Sequence, residues 1–126
     1  MKCSDFTILV AEDDLSLLNV YEKSLSGEGY RMIKAENGEQ ALVELGKAVV
    51  DLFITDIKMP GIGAFEMMPI IDRDYPKLPV VVISGNYDGL MENCHNKKGF
   101  GNVKRFFVKP LSMDVLKKNV KEVLNF

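Results

Sequence analysis

Tryptophan is absent from the 126-residue sequence, and histidine, cysteine and proline are scarce, with one, two and five residues respectively. The two cysteines, Cys3 and Cys94, form no CxxC pair, and the single histidine is His95. We therefore expect neither a disulfide framework nor a structural zinc site. The same scarcity favours a reducing compartment, and so a cytoplasmic location.

An excess of charge of one sign is also missing. Lysine and arginine together number 16 and aspartate and glutamate 18, for a net charge of −2. No basic excess indicates nucleic-acid binding, and no acidic tail indicates disorder. The opening stretch MKCSDF lacks the apolar core of a signal peptide, and no apolar run approaches membrane-spanning length. We therefore expect no direct contact with nucleic acid or with a membrane.

Short apolar runs are present, and they alternate with amphipathic segments. The runs predict strands over 6–11, 30–35, 49–55, 78–84 and 103–108, and the amphipathic segments predict helices over 14–29, 38–48, 64–75 and 112–126. Asn37 and Ser112 are the expected N-caps of two of these helices. Almost wholly apolar strands suit a parallel sheet covered by helices on both faces. The sequence therefore predicts a single α/β domain over residues 1–126.

Two segments fit this alternation poorly. Pro69 lies inside the predicted helix 64–75, where proline removes a backbone hydrogen bond, so this helix either begins just before Pro69 or is kinked. Residues 85–102 are rich in glycine and asparagine, so the fourth of the five expected helices would be short and weak there.

Polar side chains follow four of the predicted strands at the point where each strand ends. They are Glu12, Asp13 and Asp14 after the first strand, Asp56 after the third, Ser84 after the fourth and Lys109 after the fifth. In a parallel sheet these strand ends lie on one edge, where α/β folds bind ligands. One such carboxylate is explained by capping, but an edge of several acids, a hydroxyl and an ammonium group is not.

Clustered carboxylates repel one another and need a counter-charge. Mg²⁺ is suited to this role, since it takes hard oxygen ligands and typically uses one or two carboxylates. It would also let a phosphoryl group approach an aspartate, which can act as a nucleophile and form an aspartyl-phosphate. Lys109 could pair with Asp56 and then with a phosphate oxygen, while the Ser84 hydroxyl donates to another.

Four stretches, ILVAEDD, DLFITDIKMPG, VVVISG and FFVKP, resemble in order the signatures of the receiver domain of two-component response regulators, of the chemotaxis-regulator type. The resemblance covers essentially the whole chain. It implies a flavodoxin-like, doubly wound sheet of five parallel strands in the order 2-1-3-4-5. It also implies a phosphorylation-dependent switch in a phosphorelay, which is not an enzyme but assists its own aspartyl phosphorylation and dephosphorylation.

The resemblance assigns roles to individual residues. It implies Asp56 as phospho-acceptor and Glu12, Asp13, Asp56 and the backbone carbonyl of Lys58 as Mg²⁺ ligands. It implies Ser84 as the switch hydroxyl, Lys109 as the phosphate-binding lysine and Phe106 as the aromatic residue that changes rotamer. It further implies a cis bond between Lys109 and Pro110. The donor would be a histidine kinase or a histidine phosphotransfer protein. The output would be a change in the face formed by the fourth helix, the fifth strand and the last helix, read by an unidentified protein.

Two other functions remain open on this topology. A flavodoxin-like protein would bind FMN, although Glu12, Asp13 and Asp14 repel its phosphate unless a metal intervenes. A pseudo-receiver would be a constitutive binding module, which the full set of acidic, hydroxyl and lysine residues disfavours. The loop after the third strand departs from the family, with Gly63 and Ala64 where Asp-Gly is common.

Several residues have a simpler structural interpretation. Asp14 is expected to cap the first helix rather than bind metal, and the Lys58 side chain to be exposed. Met67, Met68 and Met91 are expected to fill the core. We expect His95 to lie on the surface.

Overall fold

The computed structural model describes residues 2–85 and 100–126. Five strands alternate with α-helices: β1 Thr7–Ala11, α1 Leu15–Ser26, β2 Arg31–Ala35, α2 Gly38–Lys47, β3 Leu52–Asp56, α3 Ala64–Asp74, β4 Val80–Ser84, β5 Val103–Val108 and α4 Met113–Leu124, after a short 3-10 turn at Cys3–Asp5. All strand pairs are parallel and the order is β2-β1-β3-β4-β5. The predicted fold class and strand order are confirmed.

Three of the four described α-helices begin where a side-chain cap satisfies their first amide groups. Asp14 accepts from Ser16 and Leu17 at the start of α1, and Asn37 accepts from Gln40 at the start of α2. Ser112 accepts from Val115 at the start of α4. Each cap supplies an acceptor to an amide group that has no partner within its own helix.

Two apolar clusters lie on opposite faces of the sheet. Along β1, Leu9 and Ala11 belong to the cluster under α2 and α3, and Ile8 and Val10 belong to the cluster under α1 and α4. All four side chains are at most 1% exposed. Because successive side chains of a strand point to opposite faces, a wholly apolar strand is what a sheet covered on both sides requires.

The boundary of β3 differs from its prediction. The strand was expected over 49–55 but begins at Leu52 and ends at Asp56. Val49 is 85% exposed although its type favours strands. Asp51 fixes the segment that leads into β3 against the start of β1. Its amide donates to Thr7 O and its carboxylate accepts from Thr7 N, both at 2.8 Å.

Pro69 lies inside α3, which begins at Ala64, five residues earlier. The expectation that the helix begins just before Pro69 is therefore wrong, while the kink stays a prediction. Pro69 itself is exposed, whereas Met67 and Met68 are fully buried, as expected. The buried face of α3 stabilises the helix in spite of the proline, because burial of side chains outweighs local propensity.

The two outer strands carry basic side chains. On β2, Arg31 and Lys34 are exposed, and on β5, Lys104 and Arg105 are exposed. The β4–β5 register shifts, since Val80 pairs with Val103 but Val81 pairs with Arg105. Lys104 is the extra residue at this irregularity.

The expected weak fourth helix, together with Met91 and His95, falls largely on residues 86–99, outside the described part of the chain. Within the described residues, no helix combines the length and apolarity needed to cross a bilayer.

Asn102 anchors the turn before β4 to the start of β5. It is 3% exposed, and its Nδ2 donates to Tyr75 O at 2.9 Å and to Leu78 O at 2.8 Å. These two bonds join segments more than twenty residues apart in sequence.

We predict that Asn102→Ala lowers the free energy of unfolding by about 1–3 kcal/mol, because two carbonyl groups lose a buried donor. Asn19→Ala, at an exposed position of α1, is the control and should change stability by no more than about 0.5 kcal/mol. Urea titration measures both. Equal losses in the two variants would contradict the anchoring role of Asn102.

Candidate functional site

The carboxyl ends of four neighbouring strands meet at one edge of the sheet. β1 leads into Glu12 and Asp13, β3 ends at Asp56, β4 ends at Ser84, and Lys109 follows β5. Main-chain bonds fix two of these ends, since Glu12 N donates to Ala35 O at 3.1 Å and Lys109 N donates to Ser84 O at 2.7 Å. The sheet topology therefore brings together residues that lie up to 97 positions apart in sequence.

Three carboxylates form a cluster at this edge. One oxygen each from Glu12, Asp13 and Asp56 lie within 4.8 Å of one another. Glu12 is buried, Asp56 is half-buried and Asp13 is exposed. The cluster therefore runs from the sheet interior to the surface, and its outer side is open to a ligand from solvent.

Lys109 neutralises part of this cluster. Its Nζ donates to Glu12 Oε1 at 2.7 Å and to Asp56 Oδ2 at 3.0 Å. Burial alone would lower the pKa of Lys109, but the bonds to Glu12 and Asp56 outweigh burial and raise the pKa above its usual value. Lys109 is therefore a permanent cation between two acids. The peptide bond from Lys109 to Pro110 is cis.

Glu12 is the most deeply placed charge of the site, with 2% exposure. Burial raises its pKa, and the bonds from Lys109 and from the Asp14 amide offset this only in part. The Asp14 amide donates to Glu12 Oε2 at 3.2 Å. Sequence reasoning placed Lys109 beside Asp56 but missed its shorter contact with Glu12. The relevant signal was that three acids shared one lysine.

Asp56 is held in place through both of its oxygens. Oδ1 accepts from Ile57 N at 2.7 Å and Oδ2 accepts from Lys109. Behind it the buried Thr55 hydroxyl donates to the carbonyl oxygen of Asp56 at 2.9 Å. A carboxylate mounted in this way on a buried strand is oriented for chemistry at the sheet edge.

The donor set fits Mg²⁺. Three carboxylates converge, and within residues 2–85 and 100–126 no sulfur or imidazole joins them, which is the hard oxygen environment that this ion prefers. Lys58 lies in the loop directly after Asp56, with its side chain exposed as expected. Asp14 caps α1 with its side chain, as predicted, and is not a member of the cluster.

Ser84 lies on β4, next to the strand of Asp56, and Phe106 lies on β5, one strand further out. Ser84 ends β4 and is 6% exposed, and Ile83 is the register partner of Asp56. Phe106, on β5, is the register partner of Val82 on β4 and is half-buried. Phe106 also lines a small apolar cavity with Ile57, Ala64, Phe65, Met68, Val82 and Phe100. The two residues therefore lead outward from the acidic cluster, from β4 to the edge strand β5.

Residues 8–121 match the family model described as the response regulator receiver domain. Over 119 residues the chain is 33% identical to the transcriptional regulatory protein ZraR of Klebsiella oxytoca, covering 93% of this chain and 26% of that protein. It is 38% identical over 78 residues to the response regulator GtcR of Aneurinibacillus migulanus, covering 62% of this chain and 32% of that protein. The chain thus spans less than a third of the length of these curated relatives.

Solved structures agree with these matches. The chemotaxis response regulator CheY4 of Vibrio cholerae superposes with a TM-score of 0.82 at 25% identity, covering 94% of this chain and 98% of that one. The response regulator TrrA of Thermotoga maritima, solved in complex with Mg²⁺-BeF, gives a TM-score of 0.80 at 29% identity with the same coverage.

We predict that Lys109→Ala lowers the free energy of unfolding by about 3 kcal/mol, the lower end of the range for breaking a buried ion pair. Glu12 and Asp56 would then face each other without a counter-charge. Urea unfolding in excess chelator measures the loss.

Lys118→Ala, at an exposed position of α4, is the matched control and should be nearly neutral. Adding Glu12→Gln to Lys109→Ala should recover part of the loss, because one of the unpaired acids becomes neutral. If Lys109→Ala unfolds like the control, the pairing does not stabilise the fold.

Proposed function

The chain belongs to the family of response regulator receiver domains, and on that premise we propose that Asp56 accepts the phosphoryl group in a two-component phosphorelay. Receiver domains of this family are phospho-accepting signalling switches rather than enzymes in general. The observation that carries the assignment is the position of Asp56, which ends a buried strand within the acidic cluster and beside Lys109.

The proposed reaction transfers a phosphoryl group from a phosphohistidine donor. An oxygen of Asp56 forms a bond to phosphorus while the bond from phosphorus to the imidazole nitrogen breaks. The imidazole keeps the electron pair and takes a proton from solvent. The amide of Ile57 and the ammonium group of Lys109 orient the carboxylate, and Lys109 can then bind a phosphoryl oxygen.

Mg²⁺ would be held by Asp13, Asp56 and the Lys58 carbonyl, with Glu12 supporting it from the buried side. When bound, it supplies positive charge that lets an anionic donor approach the anionic cluster. The same groups would serve the attack of water on the phosphorus of the aspartyl-phosphate, in which the bond from phosphorus to the Asp56 oxygen breaks, the carboxylate is regenerated and inorganic phosphate leaves. We therefore propose that the domain assists both its phosphorylation and its dephosphorylation.

The proposed donor is a histidine kinase or a histidine phosphotransfer protein, and we propose that 1–126 acts as one receiver domain. One relative, NtrC of Salmonella typhimurium, is named a DNA-binding transcriptional regulator, and this chain covers 17% of its length. That name describes the whole regulator. For the present domain we propose that a target protein binds to the surface of the domain. We also propose that the domain itself does not contact nucleic acid.

We propose that Ser84 and Phe106 pass the signal to this surface. A phosphoryl group adds roughly −1.5 to −2 charges at the site. The Ser84 hydroxyl can donate to the new oxygens by moving toward Asp56, and Phe106 can rotate inward behind it. The outer face at β5 and α4 would then change shape, and a partner that prefers this shape would bind more tightly.

We predict that phosphorylation needs Mg²⁺ and is confined to Asp56. Incubation with Mg²⁺ and acetyl phosphate should add the mass of one phosphoryl group to the wild-type protein and to Asp72→Asn, an exposed control on α3. Asp56→Asn should gain nothing, because it lacks the nucleophile. Intact-mass spectrometry measures the gain, and a gain that persists in Asp56→Asn or in excess chelator contradicts the assignment.

We also predict that Ser84→Ala accepts the phosphoryl group but transmits it poorly. Ser26→Ala, at an exposed position of α1, is the control. When beryllofluoride, a mimic of the phosphoryl group, is added, amide exchange in the wild type and in Ser26→Ala should change at Asp56 and across Val103–Val108. In Ser84→Ala the change should stay close to Asp56, because the hydroxyl that follows the phosphoryl group is missing. If β5 responds equally in all three proteins, Ser84 is not the switch.

A further inference from the structure

The loop that follows Asp56, residues 57–63, is closed by hydrogen bonds at its base. Ala64 N donates to Ile57 O at 3.0 Å, and Gly63 N donates to Glu66 Oε2 at 3.1 Å. Ile57 N in turn donates to Asp56 Oδ1. The first residue of the loop therefore helps to orient the carboxylate of Asp56, the proposed nucleophile.

The outer part of this loop is held from another element. Glu39 lies in the first turn of α2, and its Oε1 accepts from Ile62 N at 3.2 Å, across 23 positions of sequence. This bond gives the Ile62 amide an acceptor from outside its own loop. The contact joins α2 to the segment between Asp56 and α3.

Two glycines allow the contact to form. A Cβ at Gly38 would lie 2.1 Å from Ile62 O, so the helix and the loop meet backbone to backbone. A Cβ at Gly61, whose φ is +77°, would lie 2.3 Å from Glu39 Oε1. Neither position accepts a larger side chain unless the helix, the loop or the carboxylate moves, because such distances are far below van der Waals contact.

The loop matters because it carries Lys58, whose carbonyl is the proposed backbone ligand. A side-chain ligand can adjust by changing rotamer, but the carbonyl of Lys58 moves only with its loop. Glu39 is not one of the three clustered carboxylates of the described residues, and its contact with the loop is the link to the site that the structure shows.

We propose that Glu39 is a positioning residue for metal binding: by holding the Ile62 amide, it fixes the loop that presents the Lys58 carbonyl to the acidic cluster. This inference rests on the proposed function of the cluster as a Mg²⁺ site. It assigns to the first turn of α2 a role that the matched motifs do not include. The physical reason is that partners which orient metal ligands strengthen metal binding.

The test is the Mg²⁺ affinity of the unphosphorylated protein, measured by calorimetric titration. Glu39→Ala should bind Mg²⁺ about tenfold more weakly, the lower end of what partners of metal ligands contribute. Glu39→Gln keeps an acceptor and should lie closer to the wild type. Gly38→Ala keeps the carboxylate but displaces the loop, so it should also bind Mg²⁺ more weakly.

Glu36→Ala is the matched control, because it removes the same charge from an exposed residue just outside α2. Its Mg²⁺ affinity should equal that of the wild type. Amide exchange at Ile62 should accelerate in Glu39→Ala and not in Glu36→Ala, while the melting temperatures of both variants stay close to that of the wild type.

Two results would overturn the inference alone: wild-type affinity in Glu39→Ala, or an equal loss in Glu36→Ala, which would make the effect one of net charge. Asp13→Asn serves as the reference for a lost ligand. A wild-type protein that binds Mg²⁺ no better than Asp13→Asn would overturn the proposed metal site, and the inference with it.

Discussion

The bond from Lys109 to two carboxylates is the interaction on which the site depends. Glu12 follows β1 and Asp56 ends the adjacent parallel strand β3, and their charges would oppose the close approach of these strand ends if nothing lay between them. The ammonium group bridges both acids at hydrogen-bond distance and stays protonated because of them. The third acid of the cluster, Asp13, is exposed. The lysine therefore makes the cluster compatible with folding.

Much of the fold was predictable because its three central strands, β1, β3 and β4, are apolar on both faces. Ile8, Leu9, Val10 and Ala11 allow no other placement than a sheet covered on both sides, and the end of this run marks the edge where the polar residues collect. The caps Asn37 and Ser112 were predictable for a local reason, since each bonds within its own first turn. Element order and the residues of the site follow from these local patterns.

What the sequence could not predict depends on contacts between distant segments. Val49 is of a residue type that favours strands but lies before β3, because Asp51 rather than a valine forms the hydrogen bond with Thr7. Pro69 contradicts a helix locally, yet the neighbouring Met67 and Met68 are buried deeply enough to stabilise one. The contacts of Glu12 with Lys109 and of Glu39 with Ile62 join residues with no local signal, since their partners become neighbours only in the folded sheet.

The basic residues on the two outer strands have a consequence for how copies of this domain meet. A parallel sheet has two open edges, and an unpaired edge can accept a strand from another molecule. Here both edges carry positive side chains, Arg31 and Lys34 on β2 and Lys104 and Arg105 on β5, and Lys104 also interrupts the regular ladder. When the β2 edge of one copy approaches the β5 edge of another, like charges face each other. This repulsion opposes the pairing of two copies edge to edge into one continuous sheet.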